Sequence, residues 1–217
     1  MMKKVAVILS GCGVYDGAEI HESVLTLLHL ELQQASYQCF APDCLQHHVI
    51  NHRTGDEMPE QRNVLTEAAR IARGAIAPLT ELQVADFDAV ILPGGFGAAK
   101  NLSDFAFKGA EATVLPELQQ KLAAFASAGK PVGFICIAPA LIPRIYPAPV
   151  SLTIGTDATT ATAIEQMGAQ HVHCQVQDIV IDHQAKVVST PAYMLAQSVA
   201  EANAGIEKLV AAVLRLA

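Results

Sequence analysis

Three short apolar runs in this sequence each end abruptly in a tight turn. Residues 3–10 (KKVAVILS) run into a glycine-rich loop. Residues 88–92 (DAVIL) run into the Pro-Gly-Gly turn of residues 93–95, and residues 132–135 (VGFI) end at Cys136. Continuous apolar runs of this length are typical of strands buried on both faces of a parallel sheet. Since parallel strands end at the same edge, we predict that the three turns lie close together.

Segments with helical spacing of apolar residues lie between the strands. Residues 18–34 carry apolar positions at intervals of three and four, and Asn63 is a suitable N-cap for a helix over residues 64–73. The alternation predicts a mostly parallel α/β sheet with helices on both faces, in a single domain over residues 1–217. The other expected elements are strands at 37–41, 150–154, 178–182 and 186–190, helices at 116–128, 158–167 and 195–216, and a polar loop at 43–62.

The composition argues against nucleic-acid and membrane partners. The 14 basic and 21 acidic residues give a net charge of −7, without a dense lysine and arginine cluster to contact phosphates. No apolar run reaches the roughly 18 residues that a membrane helix needs. The apolar stretch of residues 5–9 is too short for the core of a signal peptide, so a first strand is expected there.

The cysteines indicate free thiols. Their number is five and no Cys-x-x-Cys motif occurs, so the sequence suggests neither a disulfide framework nor a zinc site. The histidines of the polar loop lack spaced carboxylate or cysteine ligands, and we expect no metal. Free thiols indicate a reducing compartment, and we expect a cytoplasmic location.

Cys136 is the strongest candidate for a functional residue. It lies where an apolar strand ends and the next residues begin a helix, with Pro139 in the first turn. Open α/β sheets place their sites at the carboxyl ends of strands, and a helix N-terminus favours a thiolate. We predict a nucleophile on a strained turn. A buried core cysteine is the alternative, because cysteine is among the most buried residue types.

The glycine turn after residues 88–92 is the second candidate feature. Gly94 and Gly95 let the backbone turn sharply and expose N–H groups that can hold an oxyanion. An ordinary strand-to-helix turn is the alternative. Both this turn and Cys136 are expected at carboxyl ends of parallel strands, so each supports the other.

The glycine loop at residues 11–17 leads into a candidate acid. Its spacing, G-x-G-x-x-x-G, departs from the dinucleotide fingerprint, so no cofactor is expected. Glu19 begins the first helix at the same edge as Cys136, where it can bond a thiolate and move its proton. Glu22, one turn further, is the alternative acid. A helix-starting acid that merely complements the dipole is the alternative for Glu19.

Four more residues are candidates for the walls of the site. Glu22 and His21 lie on the first helix, where His21 is expected at the pocket mouth. Cys12 in the glycine loop is a candidate second redox thiol. Phe96 follows the glycine turn, and with Ile137 it gives the pocket an apolar wall.

The sequence resembles the class I glutamine-amidotransferase-like superfamily, which includes the PfpI-type proteins, and within it the ElbB-type glyoxalases, known as isoprenoid-biosynthesis proteins with an amidotransferase-like domain. The resemblance implies a flavodoxin-like three-layer sandwich with a nucleophile elbow, and a homodimer. It implies that Cys136 is the nucleophile, that Glu19 contacts it, and that Gly94, Gly95 and Ile137 offer backbone N–H donors. The matching stretches are VILSGCGVYDGAEIHE (7–22), RNVLTEAARIARG (62–74), LPGGFGAAKNL (92–102), AGKPVGFICIAPA (128–140) and STPAYMLAQ (189–197).

Departures from the superfamily pattern narrow the expected chemistry. No His-x-Glu motif follows Cys136, and TPAYM (190–194) stands where glutaminases carry one. The residue after the cysteine is Ile137 rather than histidine. The remaining Cys–Glu pair favours a cofactor-independent glyoxalase acting on a small dicarbonyl, glyoxal or methylglyoxal, with deglycase activity as the same chemistry on a larger substrate. The alternative is a non-catalytic cysteine redox sensor or partner-binding regulator.

Overall fold

A seven-stranded sheet forms the centre of the molecule. The structure is a computed structural model that describes residues 2–147 and 149–217, and the numbers of strands and helices refer to those residues. The strands are β1 Lys4–Ile8, β2 Ser36–Ala41, β3 Ile76–Pro78, β4 Ala89–Leu92, β5 Val132–Ile135, β6 Ser151–Leu152, β7 Gln170–His171, β8 Val180–Asp182 and β9 Val187–Thr190. The order in the large sheet is β3-β2-β1-β4-β5-β9-β8, and β6 pairs with β7 separately. All pairs in the large sheet are parallel except β8–β9.

Helices cover both faces of the sheet. The α-helices are α1 Ile20–Leu32, α2 Val64–Ile71, α3 Phe96–Lys100, α4 Phe105–Lys108, α5 Pro116–Ser127, α6 Ala158–Gln166 and α7 Val199–Leu216. Short 3₁₀ segments follow β5 and β9, over Ala138–Arg144 and Ala192–Met194. Within the described residues, no helix is both long and apolar enough to cross a bilayer.

The alternation of side chains along β1 separates two hydrophobic cores. Val5 and Val7 belong to the core that contains buried residues of α1 and α7. Ala6 and Ile8 belong to the other core, which contains the buried face of α5. Because successive residues of a strand point to opposite faces, one fully buried strand serves both cores. The result is the expected flavodoxin-like three-layer sandwich.

Local capping rules account for most helix boundaries. The Asn63 side chain accepts a hydrogen bond from the Thr66 N–H at 2.9 Å, which confirms the expected N-cap of α2. Ser198 caps α7, so that helix begins four residues later than its apolar pattern predicts. The expected strands near 178–182 and 186–190 pair as a hairpin. Sequence analysis missed the short elements β3, β7, α3 and α4.

The strand order creates a crevice at the carboxyl edge of the sheet. The chain moves outward from β1 through β2 to β3, then returns to the other side of β1 with β4 and continues to β5. The connections leaving β1 and β4 therefore diverge. In open α/β sheets, sites form at such a switch point.

Candidate active site

Cys136 occupies a sharp turn at the end of β5. Its φ is 62°, a left-handed conformation that is uncommon outside glycine. Its N–H donates to the carbonyl of Thr190, at the end of the neighbouring β9, at 2.9 Å. The side chain is almost fully buried, with 7% of the residue exposed. The structure therefore has the strained backbone that the sequence predicts at Cys136, and the role of this residue as a nucleophile stays a prediction.

The surroundings of the sulfur differ from those predicted. The segment after Cys136 is a seven-residue 3₁₀ helix, Ala138–Arg144, rather than the expected α-helix, and its N-terminal N–H groups do not keep the pKa of the thiol low. Burial, followed by the charge of Glu22, raises the pKa of Cys136 well above its ordinary value. The N–H groups of Gly95 and Ile137 hydrogen bond to the sulfur and oppose that rise.

Glu22 is the acid that meets the sulfur. It is completely buried, and its carboxyl group hydrogen bonds to Cys136. Its Oε2 accepts from the Gly94 N–H at 2.9 Å, and its Oε1 accepts from the Tyr193 N–H at 3.2 Å. Burial, with a further contribution from the nearby Glu19 charge, raises the pKa of Glu22 to about 8. Glu22 is therefore mostly protonated at neutral pH. When Glu22 is ionised, its carboxylate accepts a hydrogen bond from the Cys136 thiol, which opposes the rise in the Glu22 pKa.

Glu19 has a different position from the one predicted. Its Oε2 accepts a hydrogen bond from the Glu22 N–H at 2.6 Å, so Glu19 is the N-cap of α1. The expectation that Glu19 contacts the thiol is wrong in this structure, because its carboxylate is turned toward a backbone N–H in the first turn of its own helix. The helix begins at Ile20, and Glu22, three positions after the Glu19 cap, is the side chain that faces the sheet edge.

The two glycines of the turn after β4 have separate tasks. Gly95, at φ 92°, donates its N–H to the sulfur. Gly94 departs from the prediction of an oxyanion donor, because its N–H is already bonded to Glu22. A Cβ at Gly94 would overlap the Cβ of Cys136 and lie 2.7 Å from Glu22 Oε2. Glycine at this position lets the acid and the thiol approach each other.

Of the remaining predicted residues, His21 and Ile137 lie beside this centre, whereas Phe96 departs from the prediction and lines a surface cavity that contains neither Cys136 nor Glu22. His21 is half-exposed, and its Nδ1 lies 2.8 Å from the Tyr193 hydroxyl and 4.0 Å from Glu19 Oε1. Ile137 is partly buried beside Cys136. Phe96 is 46% exposed and lines a cavity of about 420 Å³ with Tyr15 and Lys100.

Cys12 belongs to a different environment. It is half-buried, and burial together with the charge of Glu67 raises its pKa, while the charge of Arg70 opposes the rise. Those residues lie on α2 rather than at the elbow. Throughout the described ranges, no group of three or more histidine, cysteine, aspartate or glutamate side chains is placed to hold a metal ion.

Sequence analysis missed the contribution of the turn after β9. Tyr193 supplies a backbone N–H to Glu22, and Thr190 supplies the carbonyl that accepts from Cys136. Ala192 is fully buried and has a φ of 41°, a strained conformation for a residue with a Cβ. The only sequence signal was the position of TPAYM where related enzymes carry a histidine and a glutamate.

Comparisons with known proteins agree with this architecture. None of the known protein-family models matches the sequence. Human glutamine amidotransferase-like class 1 domain-containing protein 3, mitochondrial, is 47% identical over 98% of this chain and 83% of its own length. The ES1 protein homolog, mitochondrial, of Rattus norvegicus is 45% identical over 98% of this chain and 84% of its own length.

Two solved structures show the same fold. An isoprenoid biosynthesis protein with an amidotransferase-like domain from Ehrlichia chaffeensis is 36% identical, with a TM-score of 0.92 over 99% of both chains. Drosophila melanogaster DJ-1beta is 18% identical, with a TM-score of 0.55 over 100% of this chain and 96% of its own, and it shares the fold.

The relatives also correct one expectation and establish a family. Both curated relatives are named as mitochondrial proteins, which contradicts the cytoplasmic location expected from the free thiols. Reduced cysteines indicate only that a compartment is reducing, so they do not distinguish the cytoplasm from another reducing compartment. The identity and coverage of these relatives show that the chain belongs to the glutamine amidotransferase-like class 1 family that includes the ES1 homologues.

Proposed function

We propose that this protein is a cofactor-independent glyoxalase that converts glyoxal or methylglyoxal to glycolate or lactate. The observation that carries the proposal is the buried hydrogen-bonded pair of Cys136 and Glu22. A thiol supplies the nucleophile, and a carboxyl group with a pKa of about 8 suits proton transfer near neutral pH. The sequence favoured Glu19 for that transfer, and the contact with the sulfur moves the proposed role to Glu22.

The first step is addition of the thiol to one aldehyde carbon. The ionised Glu22 takes the thiol proton as the sulfur–carbon bond forms, and the carbonyl electron pair moves to oxygen. That oxygen then takes the proton back from Glu22, which gives a hemithioacetal on Cys136. The N–H groups of Gly95 and Ile137, which surround the sulfur, are placed to stabilise negative charge that develops beside it.

The second step moves hydrogen between the two substrate carbons. Glu22 removes the proton from the carbon bonded to sulfur and gives it to the neighbouring carbonyl oxygen, which forms an enediol. Glu22 then takes the hydroxyl proton from the sulfur-bearing carbon and delivers it to the neighbouring carbon, so that the first carbon becomes a thioester carbonyl. One carbon is oxidised and the other reduced, so no external oxidant or cofactor takes part. The product is a 2-hydroxyacyl thioester of Cys136. Water cleaves this thioester, releases the hydroxy acid and regenerates the thiol.

The burial of the pair supports a small substrate. Cys136 is 7% exposed and Glu22 is inaccessible, so an extended peptide has little room to reach the sulfur. The polar groups that contact the sulfur, within the described chain, are a carboxyl group and backbone amides. A glutaminase or protease would need an imidazole to activate the thiol and protonate an amine leaving group.

Glyoxal consumption by four purified proteins tests the proposal. We expect turnover in the unmodified protein and none in Cys136→Ser or Glu22→Gln, with both variants retaining their circular dichroism spectrum. Glu19→Gln is the matched control, because it lies one turn away and its side chain caps the helix. It is expected to retain turnover. Full activity in Glu22→Gln would overturn the mechanism, and an inactive unmodified protein with an alkylatable Cys136 would favour the redox-sensor alternative.

A further inference from the structure

A side-chain hydrogen bond joins the two segments that surround Glu22. The Tyr193 hydroxyl lies 2.8 Å from His21 Nδ1, and the two ring centroids are 5.8 Å apart. His21 immediately precedes Glu22 on α1, and Tyr193 belongs to the 3₁₀ turn Ala192–Met194. The backbone N–H of the same tyrosine binds Glu22 Oε1 at 3.2 Å. The His21–Tyr193 bond therefore closes a ring of contacts that begins and ends at Glu22.

The turn that carries Tyr193 is strained. Ala192 has a φ of 41° and no exposed surface, and such a left-handed conformation is unfavourable for a residue that carries a Cβ. The 3₁₀ segment has only three residues. A strained conformation persists only when neighbouring groups hold it in place. The His21–Tyr193 bond ties the turn to α1 and supplies such a restraint.

We propose that His21 and Tyr193 are positioning residues for Glu22. Their side-chain bond holds the turn so that the Tyr193 N–H stays on Glu22 Oε1. Neither side chain is assigned a contact with substrate. The inference rests on the proposed function for the role of Glu22 as a base, although its consequence for the thiol is measurable without turnover.

The expected consequence is a change in how the pair shares its protons. The titratable groups that face Glu22 are Cys136 from the elbow, Glu19 from the start of α1 and Tyr193 from the turn, with His21 reaching it through Tyr193. The Tyr193 N–H stabilises the Glu22 carboxylate specifically. Losing that bond makes the carboxylate harder to form, while the intrinsic ionisation of the thiol beside a protonated Glu22 is unchanged.

Alkylation of Cys136 as a function of pH reports this change. In the unmodified protein, ionisation of Glu22 near pH 8 holds the proton on sulfur, so the alkylation rate levels off there. In Tyr193→Phe we expect the acid limb of the profile to coincide with that of the unmodified protein. The level region is expected to begin about one pH unit higher, which corresponds to weakening one hydrogen bond to a carboxylate.

The experiment measures iodoacetamide labelling of the Cys136 peptide by mass spectrometry between pH 6 and 10. The variants are Tyr193→Phe, His21→Ala and the double variant, with Tyr37→Phe as the matched control. Tyr37 also donates its hydroxyl to a side chain, Glu31 Oε1 at 2.8 Å, and it lies near the amino end of β2, whereas the elbow lies at the carboxyl edge of the sheet. The two single variants and the double variant are all expected to shift the profile in the same direction, because each removes the His21–Tyr193 bond.

Each other outcome counts against the proposal. If Tyr193→Phe shifts the profile and His21→Ala does not, the tyrosine hydroxyl does not act through the histidine. If neither variant shifts the profile, the turn holds its position without the bond. The proposed glyoxalase activity is judged separately, since loss of turnover in Glu22→Gln does not depend on either positioning residue.

Discussion

Burial of Glu22 makes the free energy of unfolding depend on pH, and the variant Glu22→Gln measures the size of that dependence. The pKa of Glu22 is about 8 in the fold, against 4.5 for an ordinary glutamate. At about 1.4 kcal/mol per pH unit, the difference corresponds to about 5 kcal/mol. The raised pKa means that the folded protein binds a proton that the unfolded chain releases between these two values. Stability contributed by protonated Glu22 is thus fully present below pH 4.5 and declines as the pH rises toward 8.

The variant should not show that decline. Between pH 4.5 and pH 7, the free energy of unfolding of the unmodified protein is expected to fall by about 3 kcal/mol relative to Glu22→Gln. The change with pH in the difference between the two free energies of unfolding matters more than the free energy of either protein at one pH. Glutamine replaces one carboxyl oxygen with an NH₂ group, so it can accept from the Gly94 N–H or from the Tyr193 N–H but not from both, and the loss of one bond is the same at every pH.

Urea unfolding at pH 5, 6, 7 and 7.5 provides the measurement, with the slope on denaturant checked for constancy. Glu207→Gln, an exposed glutamate on α7, is the control and should follow the unmodified protein. Parallel stability curves for the unmodified protein and Glu22→Gln across this interval would refute the argument that burial holds the proton on Glu22.

Three further predictions concern the same centre and one helix. Glyoxal turnover should increase as the pH rises toward 8, because Glu22 acts as a base only after losing its proton; initial rates that fall between pH 6 and 8 contradict this. Gly94→Ala should abolish turnover and lower the melting temperature, because the new Cβ overlaps Cys136 and crowds Glu22; an active, equally stable variant would show that the two groups need not be so close. Asn63→Ala should lower the free energy of unfolding by about 1 kcal/mol through loss of the α2 cap, with unchanged turnover. Urea titration and the glyoxal assay measure both quantities for that variant.

The fold was predictable because its signals are local. Continuous apolar strands, a capping asparagine and a turn between the last two strands are each visible within about ten residues of sequence. Cys136 was found for the same reason, since strand, turn and proline are consecutive. The missed elements, such as β3 and α4, have three and four residues, too few for a periodic pattern.

The choice of acid depended on information that is not local. Glu19 and Glu22 are separated by one helical turn, and both are placed near the sheet edge by the sequence. The first residue of α1 decides which of them caps the helix and which faces Cys136. Likewise, the sequence gives no sign that the Gly94 N–H has a partner. Only the tertiary arrangement shows that it donates to Glu22.

The two N–H donors at the sulfur belong to the main chain. A backbone amide survives any substitution other than proline, so the donor at position 137 does not depend on the isoleucine side chain. The size of the side chain at position 137 and the electrostatics beside the thiol are therefore independent variables in this scaffold. Directed evolution of substrate range has a starting point at Ile137, where changes of side-chain size leave the polar apparatus at the sulfur in place.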